Sequence, residues 1–182
     1  MKELFTPSHF KAENHLPILR QIKETGVKFY VTGSFALSIL KIIRRPINDL
    51  DIIVKTREDF ELMYEKFGGE LFEDYEKIKD TLTDVLTYAN QIRTKINTVD
   101  VCVFYIQDEK TLSVELDGEN FDISQPSSII NAKFLYVNNI LGNVDYLNKE
   151  SGIIEIQKLK RLKKHLADIQ DYCIFVESKR ID

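Results

Sequence analysis

Asp49-Leu50-Asp51-Ile52-Ile53-Val54 sets two carboxylates one residue apart at the head of an apolar run. The run reads as a β-strand. Side chains at i and i+2 of a strand share a face, so Asp49 and Asp51 stand side by side. Burying two like charges is costly unless something neutralises them. A divalent cation does this, and Mg²⁺ favours carboxylate oxygens together with substrate phosphates.

Upstream, Val31-Thr32-Gly33-Ser34 lies where a strand-like run meets a helix-like run. Gly33 permits close approach to the backbone. Ser34 caps or opens the helix that follows, whose first N–H groups would favour an anion. Either motif alone has a plain reading: glycine and serine serve strand-to-helix turns, and aspartate often precedes strands. Together and in this order they suggest metal-assisted phosphoryl or nucleotidyl transfer.

Gly33-Ser34, an intervening helix and Asp49-Leu50-Asp51 resemble the signature of the polymerase-beta-like nucleotidyltransferase superfamily. The basic lead-in Arg44-Arg45-Pro46-Ile47-Asn48 is similar to the bacterial branch that holds toxin-type and antibiotic-modifying enzymes. The resemblance spans roughly residues 27–105, with a fainter echo in the C-terminal helices. It implies Mg²⁺ as cofactor and a nucleoside triphosphate such as ATP as donor. Asp49 and Asp51 would hold the metals. Gly33 and Ser34 would bind the β- and γ-phosphates, with Lys133 and Arg44 meeting the remaining charge.

The resemblance also requires a third carboxylate on a later strand. Asp100, in Asn97-Thr98-Val99-Asp100-Val101-Cys102-Val103-Phe104, is the natural candidate, as metal ligand and as acceptor of the substrate hydroxyl's proton. Val99, Val101 and Val103 would fill the core face of that strand. Asp100, Cys102 and Phe104 would share the other. Asp80 and Asp84 are rivals in less strand-like settings. Arg44 and Arg45 read equally as a solvated helix end. Lys163-Lys164-His165-Leu166-Ala167-Asp168-Ile169 is similar to the basic-then-Asp helix of the toxin-type branch, with Asp168 standing farther along than the branch has it.

Composition sets bounds on these readings. A chain of 182 residues, 43% hydrophobic and 30% charged, supports a folded core. Its net charge of −4 argues against nonspecific coating of nucleic acid. Cys102 and Cys173 sit in apolar patterns and read as reduced, buried thiols. His9, His15 and His165 are scattered and read as surface or capping residues rather than metal ligands. No apolar run is long enough to span a membrane, and Met1 to Pro7 lacks the apolar segment of a secretory leader, so a cytoplasmic location is expected.

Along the chain, helices are expected over residues 9–25, 34–43, 57–67 and 126–140, and strands over 27–32, 49–54, 70–75, 81–89 and 96–105. Residues 142–152 are turn-rich. A final helix carries Ile156, Leu159, Leu162, Leu166, Ile169, Cys173 and Val176 at alternating steps of three and four. That stripe would pack on the core, on another helix or across a homodimer. The pattern lacks regular βαβ alternation and predicts an α+β fold: a mixed sheet flanked by helices, with a nucleotidyltransferase-like core over 1–125 and a helical part over 126–182. The expected partners are a nucleoside triphosphate and a hydroxyl acceptor, small molecule or protein ahead of nucleic acid. The alternative is an inactive member of the fold that binds nucleotide or a partner protein.

Overall fold

The computed structural model describes residues 12–43, 45–72, 90–142 and 152–179. In chain order it contains α1 (Ala12–Glu24), β1 (Phe29–Thr32), α2 (Gly33–Ile39), β2 (Asp49–Val54), α3 (Arg57–Phe67), β3 (Glu70–Phe72), β4 (Gln91–Ile96), β5 (Val99–Tyr105), β6 (Thr111–Leu116), β7 (Glu119–Ser124), α4 (Pro126–Gly142) and α5 (Gly152–Ser178). The described strands form one seven-stranded sheet in the order β3-β4-β5-β2-β1-β7-β6. β2 runs parallel to β5 and β1 parallel to β7, and the other pairings are antiparallel. This is the expected α+β class.

Alternation on the central strands decides which face is covered. Leu50, Ile52 and Val54 on β2 and Val99, Val101 and Val103 on β5 are all buried. α3 lays Phe60 and Met63 into the same core, and Thr56 caps that helix by accepting from Asp59 N at 3.1 Å. The opposite face carries Asp49 and Asp51 beside Asp100 and Cys102, as the sequence alternation predicted for β5. α1 packs by stacking His15 on Phe35 of α2, with ring centroids 4.5 Å apart. Its Lys23 lies over the Phe121 ring of β7 at 5.0 Å.

The sheet is larger than the sequence pattern announced. β4 occupies residues 91–96, a stretch left between the strands expected over 81–89 and 96–105, and the β6–β7 hairpin was not anticipated. Both hairpins turn on residues in the left-handed region: Asn97 at φ 56°, and Asp117 and Gly118 at φ 52° and 77°. Asp-Gly between the alternating runs Leu112-x-Val114-x-Leu116 and Phe121-x-Ile123 is the signal that identifies the second hairpin. The expected strand over 81–89, the rival acids Asp80 and Asp84, His9, and most of the turn-rich stretch lie outside the described residues.

α5 is rotated from the expected stripe. Leu159, Leu166 and Cys173 are exposed, while Asp168 and Ile169 are buried and Leu162, Tyr172 and Phe175 pack against the core. The buried charge of Asp168 fixes this rotation, as the site below explains. His15, predicted at the surface, is buried, and so is much of His165. Cys173, predicted buried, is exposed. Among the described residues no helix is long and apolar enough to cross a membrane.

Leu50 is fully buried between the two aspartates in sequence and on the opposite face from them. Leu50→Ala is expected to lower stability by about 2–5 kcal/mol, read as a lower urea midpoint at unchanged slope.

Candidate functional site

β1 leaves the sheet through Thr32, whose backbone is extended at φ −133° and ψ −167°. Gly33 then takes φ +65° and turns the chain into α2 directly over Asp51. A Cβ on Gly33 would sit 2.1 Å from Asp51 Oδ2 and 2.9 Å from its Cβ. Two independent constraints therefore require glycine here: the backbone angle and the carboxylate against it.

On the open face of the sheet, Asp49 is in register with Asp100 of β5, and Asp51 with Cys102. Thr32 of β1 flanks Asp51 on its other side. Desolvation pushes the Asp51 carboxyl up to about 6, and the neighbouring Asp49 charge adds to this. Asp49 goes the other way. Burial raises it, but the ammonium of Lys164 outweighs burial and holds it below the usual carboxylate range. Lys164 Nζ donates to Asp49 Oδ2 at 3.1 Å. Burial drives the Cys102 thiol up to about 12, and Gln91 Nε2 donates to its Sγ at 2.8 Å.

Asp100 stands beside Asp49 by register, yet its side chain is exposed and pairs with Lys95 Nζ at 3.3 Å across the β4–β5 hairpin. No three His, Cys, Asp or Glu side chains converge on a metal-sized point among the described residues.

The helices close the other side. Asp168 of α5 is fully buried. Arg45 grips it with both arms of its guanidinium, Nε to Oδ1 at 2.7 Å and Nη2 to Oδ2 at 2.8 Å. Lys133 Nζ of α4 lies 2.9 Å from Oδ2. Ser34 Oγ donates to Oδ2 at 3.1 Å, and accepts from Lys133 Nζ at 3.1 Å and from Arg45 Nη2. One hydroxyl has one donor and two acceptor positions, so Ser34 is fully engaged. Burial raises the Asp168 carboxyl, but the Arg45 hydrogen bonds and the Lys133 charge prevail and hold it down at about 2. Desolvation lowers Lys133 despite the partly compensating Asp168 charge.

Of the residues singled out from the sequence, Gly33, Ser34, Asp49, Asp51 and Lys133 are brought together around one cleft of about 760 Å³, and Asp100 lies at its border. Arg44 lies outside the described residues, and its neighbour Arg45 is the arginine that reaches the cluster. The sequence reading did not assign Lys164, Tyr136 or His165, and left Asp168 in doubt. A signal was present. Arg161, Lys164, His165 and Asp168 recur at i, i+3, i+4 and i+7, as do Ile129, Ala132, Lys133 and Tyr136, and those spacings put each set on one helical face.

No protein-family model matches the sequence, and no curated protein matches it. Among solved structures, a protein from Thermotoga maritima, itself only provisionally described as a nucleotidyltransferase, superposes with a TM-score of 0.55 at 15% identity, covering 79% of this chain and 99% of that one. An antigenic nucleotidyltransferase-like protein from Paracoccidioides brasiliensis reaches a TM-score of 0.37 at 10% identity, covering 91% of this chain and 86% of that one. The first likeness shows that this chain has a nucleotidyltransferase-like fold.

Gly33→Ala must displace Asp51 or strain the turn, and is expected to cost about 2–3 kcal/mol in urea unfolding. Asp168→Asn leaves Arg45 and Lys133 without their counter-charge and is expected to cost about 3–5 kcal/mol. Because the folded carboxyl is held at about 2 against an ordinary 3.8, its contribution is complete above about pH 4 and disappears as pH falls toward 2. Acid unfolding of Asp168→Asn should lack that part of the pH slope.

Proposed function

We propose that the protein is a Mg²⁺-dependent nucleotidyltransferase that moves a nucleoside monophosphate from a nucleoside triphosphate to a hydroxyl acceptor and releases pyrophosphate. One observation carries this reading: Asp49 and Asp51 share a face of β2, with the Gly33 turn closed down on Asp51.

The residues suit the metal. Carboxylate oxygens are hard donors of the type Mg²⁺ prefers. Burial, with the Asp49 charge adding to it, raises Asp51 to about 6, and Lys164 already serves Asp49 as a neutralising cation. Asp49 and Asp51 would hold the ion, with Asp100 joining them from the adjacent strand once it leaves Lys95. Bound there, Mg²⁺ supplies charge neutralisation and polarisation of the transferring phosphoryl group.

The chain's own groups do the rest. The Gly33 turn gives the phosphates close access to backbone N–H groups, and Ser34 joins them as Lys133 and Arg45 exchange its hydroxyl for phosphate oxygens. Lys133, with Arg44 or Arg45, offsets the charge on the β- and γ-phosphates. Lys164 exchanges Asp49 for the α-phosphate. The acceptor oxygen bonds to the α-phosphorus as the bond to the pyrophosphate oxygen breaks, and Asp100 takes the hydroxyl proton. The basic lead-in to β2 supports the branch of toxin-type and antibiotic-modifying enzymes, with a small molecule or a protein side chain as acceptor in the cytoplasm.

A second reading has its own observation. Asp100 is exposed and paired with Lys95 rather than with the aspartates of β2. This favours a catalytically inactive member of the fold that binds nucleotide or a partner protein.

Calorimetric titration with Mg²⁺-ATP and the other nucleoside triphosphates separates these. Wild type should bind at least one of them only when Mg²⁺ is present, and the Asp49→Ala/Asp51→Ala variant should lose that binding while remaining folded. Transfer of labelled nucleotide to any acceptor should also vanish in the variant. Unchanged binding in the variant would refute the metal assignment, and metal-dependent binding without transfer across an acceptor screen would favour the inactive reading.

A further inference from the structure

Two polar atoms in the cleft wall have no hydrogen-bond partner among the described residues: the Tyr136 hydroxyl and His165 Nδ1. Both are shut off from solvent. Tyr136 is only 7% exposed. Its ring rests on the imidazole with centroids 4.4 Å apart and planes tilted by 53°, and both side chains line the cleft. A buried polar atom without a partner destabilises a fold, and native structures keep few of them without a reason.

Their position suggests the reason. α4 and α5 lie side by side, with Lys133 against Asp168 and Tyr136 against His165. Tyr136 is one helical turn from Lys133, which meets Ser34. His165 adjoins Lys164, which meets Asp49. The pair thus adjoins both lysines assigned to the donor's phosphates. Burial, and then the charges of Lys133 and Lys164, press the imidazole down to about 3, so it is uncharged at neutral pH. Ile129 and Ala132 continue the same face of α4 as an apolar wall. Phosphates gain nothing from this neutral stretch, whereas a flat, uncharged group with hydrogen-bonding edges does. Gly69, Arg93 and Lys95, from the other end of the sheet order, line the same cleft.

We infer that Tyr136 and His165 form the subsite for the nucleoside part of the donor, bonding its sugar or base, and so set which nucleotide the cleft accepts. This rests on the nucleotidyltransferase reading above. Because both atoms are covered, the nucleoside must draw the two rings outward as it enters. The imidazole's χ2 torsion is soft enough to turn Nδ1 toward it.

The test is calorimetry in Mg²⁺ with the full chain, comparing the four nucleoside triphosphates, 2′-deoxy-ATP and inorganic tripolyphosphate. Wild type should bind one nucleotide more tightly than tripolyphosphate. Tyr136→Phe and His165→Leu should each weaken that nucleotide by roughly fivefold to tenfold, with tripolyphosphate unchanged. Without nucleotide, Tyr136→Phe should melt no lower than wild type, since it removes a hydroxyl with no partner among the described residues. A deoxy-nucleotide that is weakened like the variants assigns the contact to the sugar, and a loss that varies with base assigns it to the base. Nucleotide affinity within about twofold of wild type in both variants would overturn the subsite alone, as would a parallel loss of tripolyphosphate. Equal wild-type affinity for nucleotides and tripolyphosphate would also overturn it. Wild type that binds neither nucleotide nor tripolyphosphate would remove the nucleotidyltransferase reading with it.

Discussion

The buried carboxylate of Asp168 is the constraint around which the site is organised. A fully buried charge is tolerated only when it is paired and hydrogen-bonded, and this one takes a two-armed arginine, a lysine and a serine hydroxyl. Each partner comes from a different place: Arg45 from the approach to β2, Lys133 from α4 and Ser34 from α2. Meeting the needs of one carboxylate therefore fixes how the helices stand over the sheet. It also fixes the rotation of α5, sending Leu159 and Leu166 outward although their apolar character argues for burial. Burial of a charge network outweighs the gain from covering two leucines, because an unpaired buried ion costs more than an exposed aliphatic side chain.

The sheet imposes the second condition. The parallel pairing of β2 with β5 sets Asp49 beside Asp100 and Asp51 beside Cys102. Strand geometry thus delivers three acids to one face without help from loops. It does not decide where the third carboxylate points. Asp100 has Lys95 as its cross-strand neighbour, and that pair holds it at the border of the cleft. The same open face carries the Cys102 thiol beside Asp51, which burial keeps protonated at neutral pH.

Much of this was legible in the sequence where local rules govern. Alternation on β2 and β5 placed the aspartates on one face and the valines on the other. Gly33 announced itself as a turn residue, although its contact with Asp51 needed coordinates. The Asp117-Gly118 hairpin could have been read and was passed over. What escaped was long-range. Nothing local distinguishes Lys164 from the basic residues around it, yet it alone of that run is bonded to Asp49 in the described structure. His165 and Tyr136 look like ordinary helix residues until the two helices are brought together. The amphipathic stripe misled because period counting treats Asp168 as polar and therefore outward, whereas its partners on distant segments reverse that sign.

The Ser34–Asp168 hydrogen bond joins residues 134 positions apart. Chains are made from the N-terminus, and segments settle as they emerge. Until α5 has emerged, Arg45, Ser34 and Asp49 lack the partners that Asp168 and Lys164 provide. Neither the Ser34–Asp168 bond nor the Lys164 contact can form until that helix has emerged from the ribosome. A chain without α5 therefore lacks both contacts, and the cleft wall is complete only once that helix has folded against α2, α4 and β2.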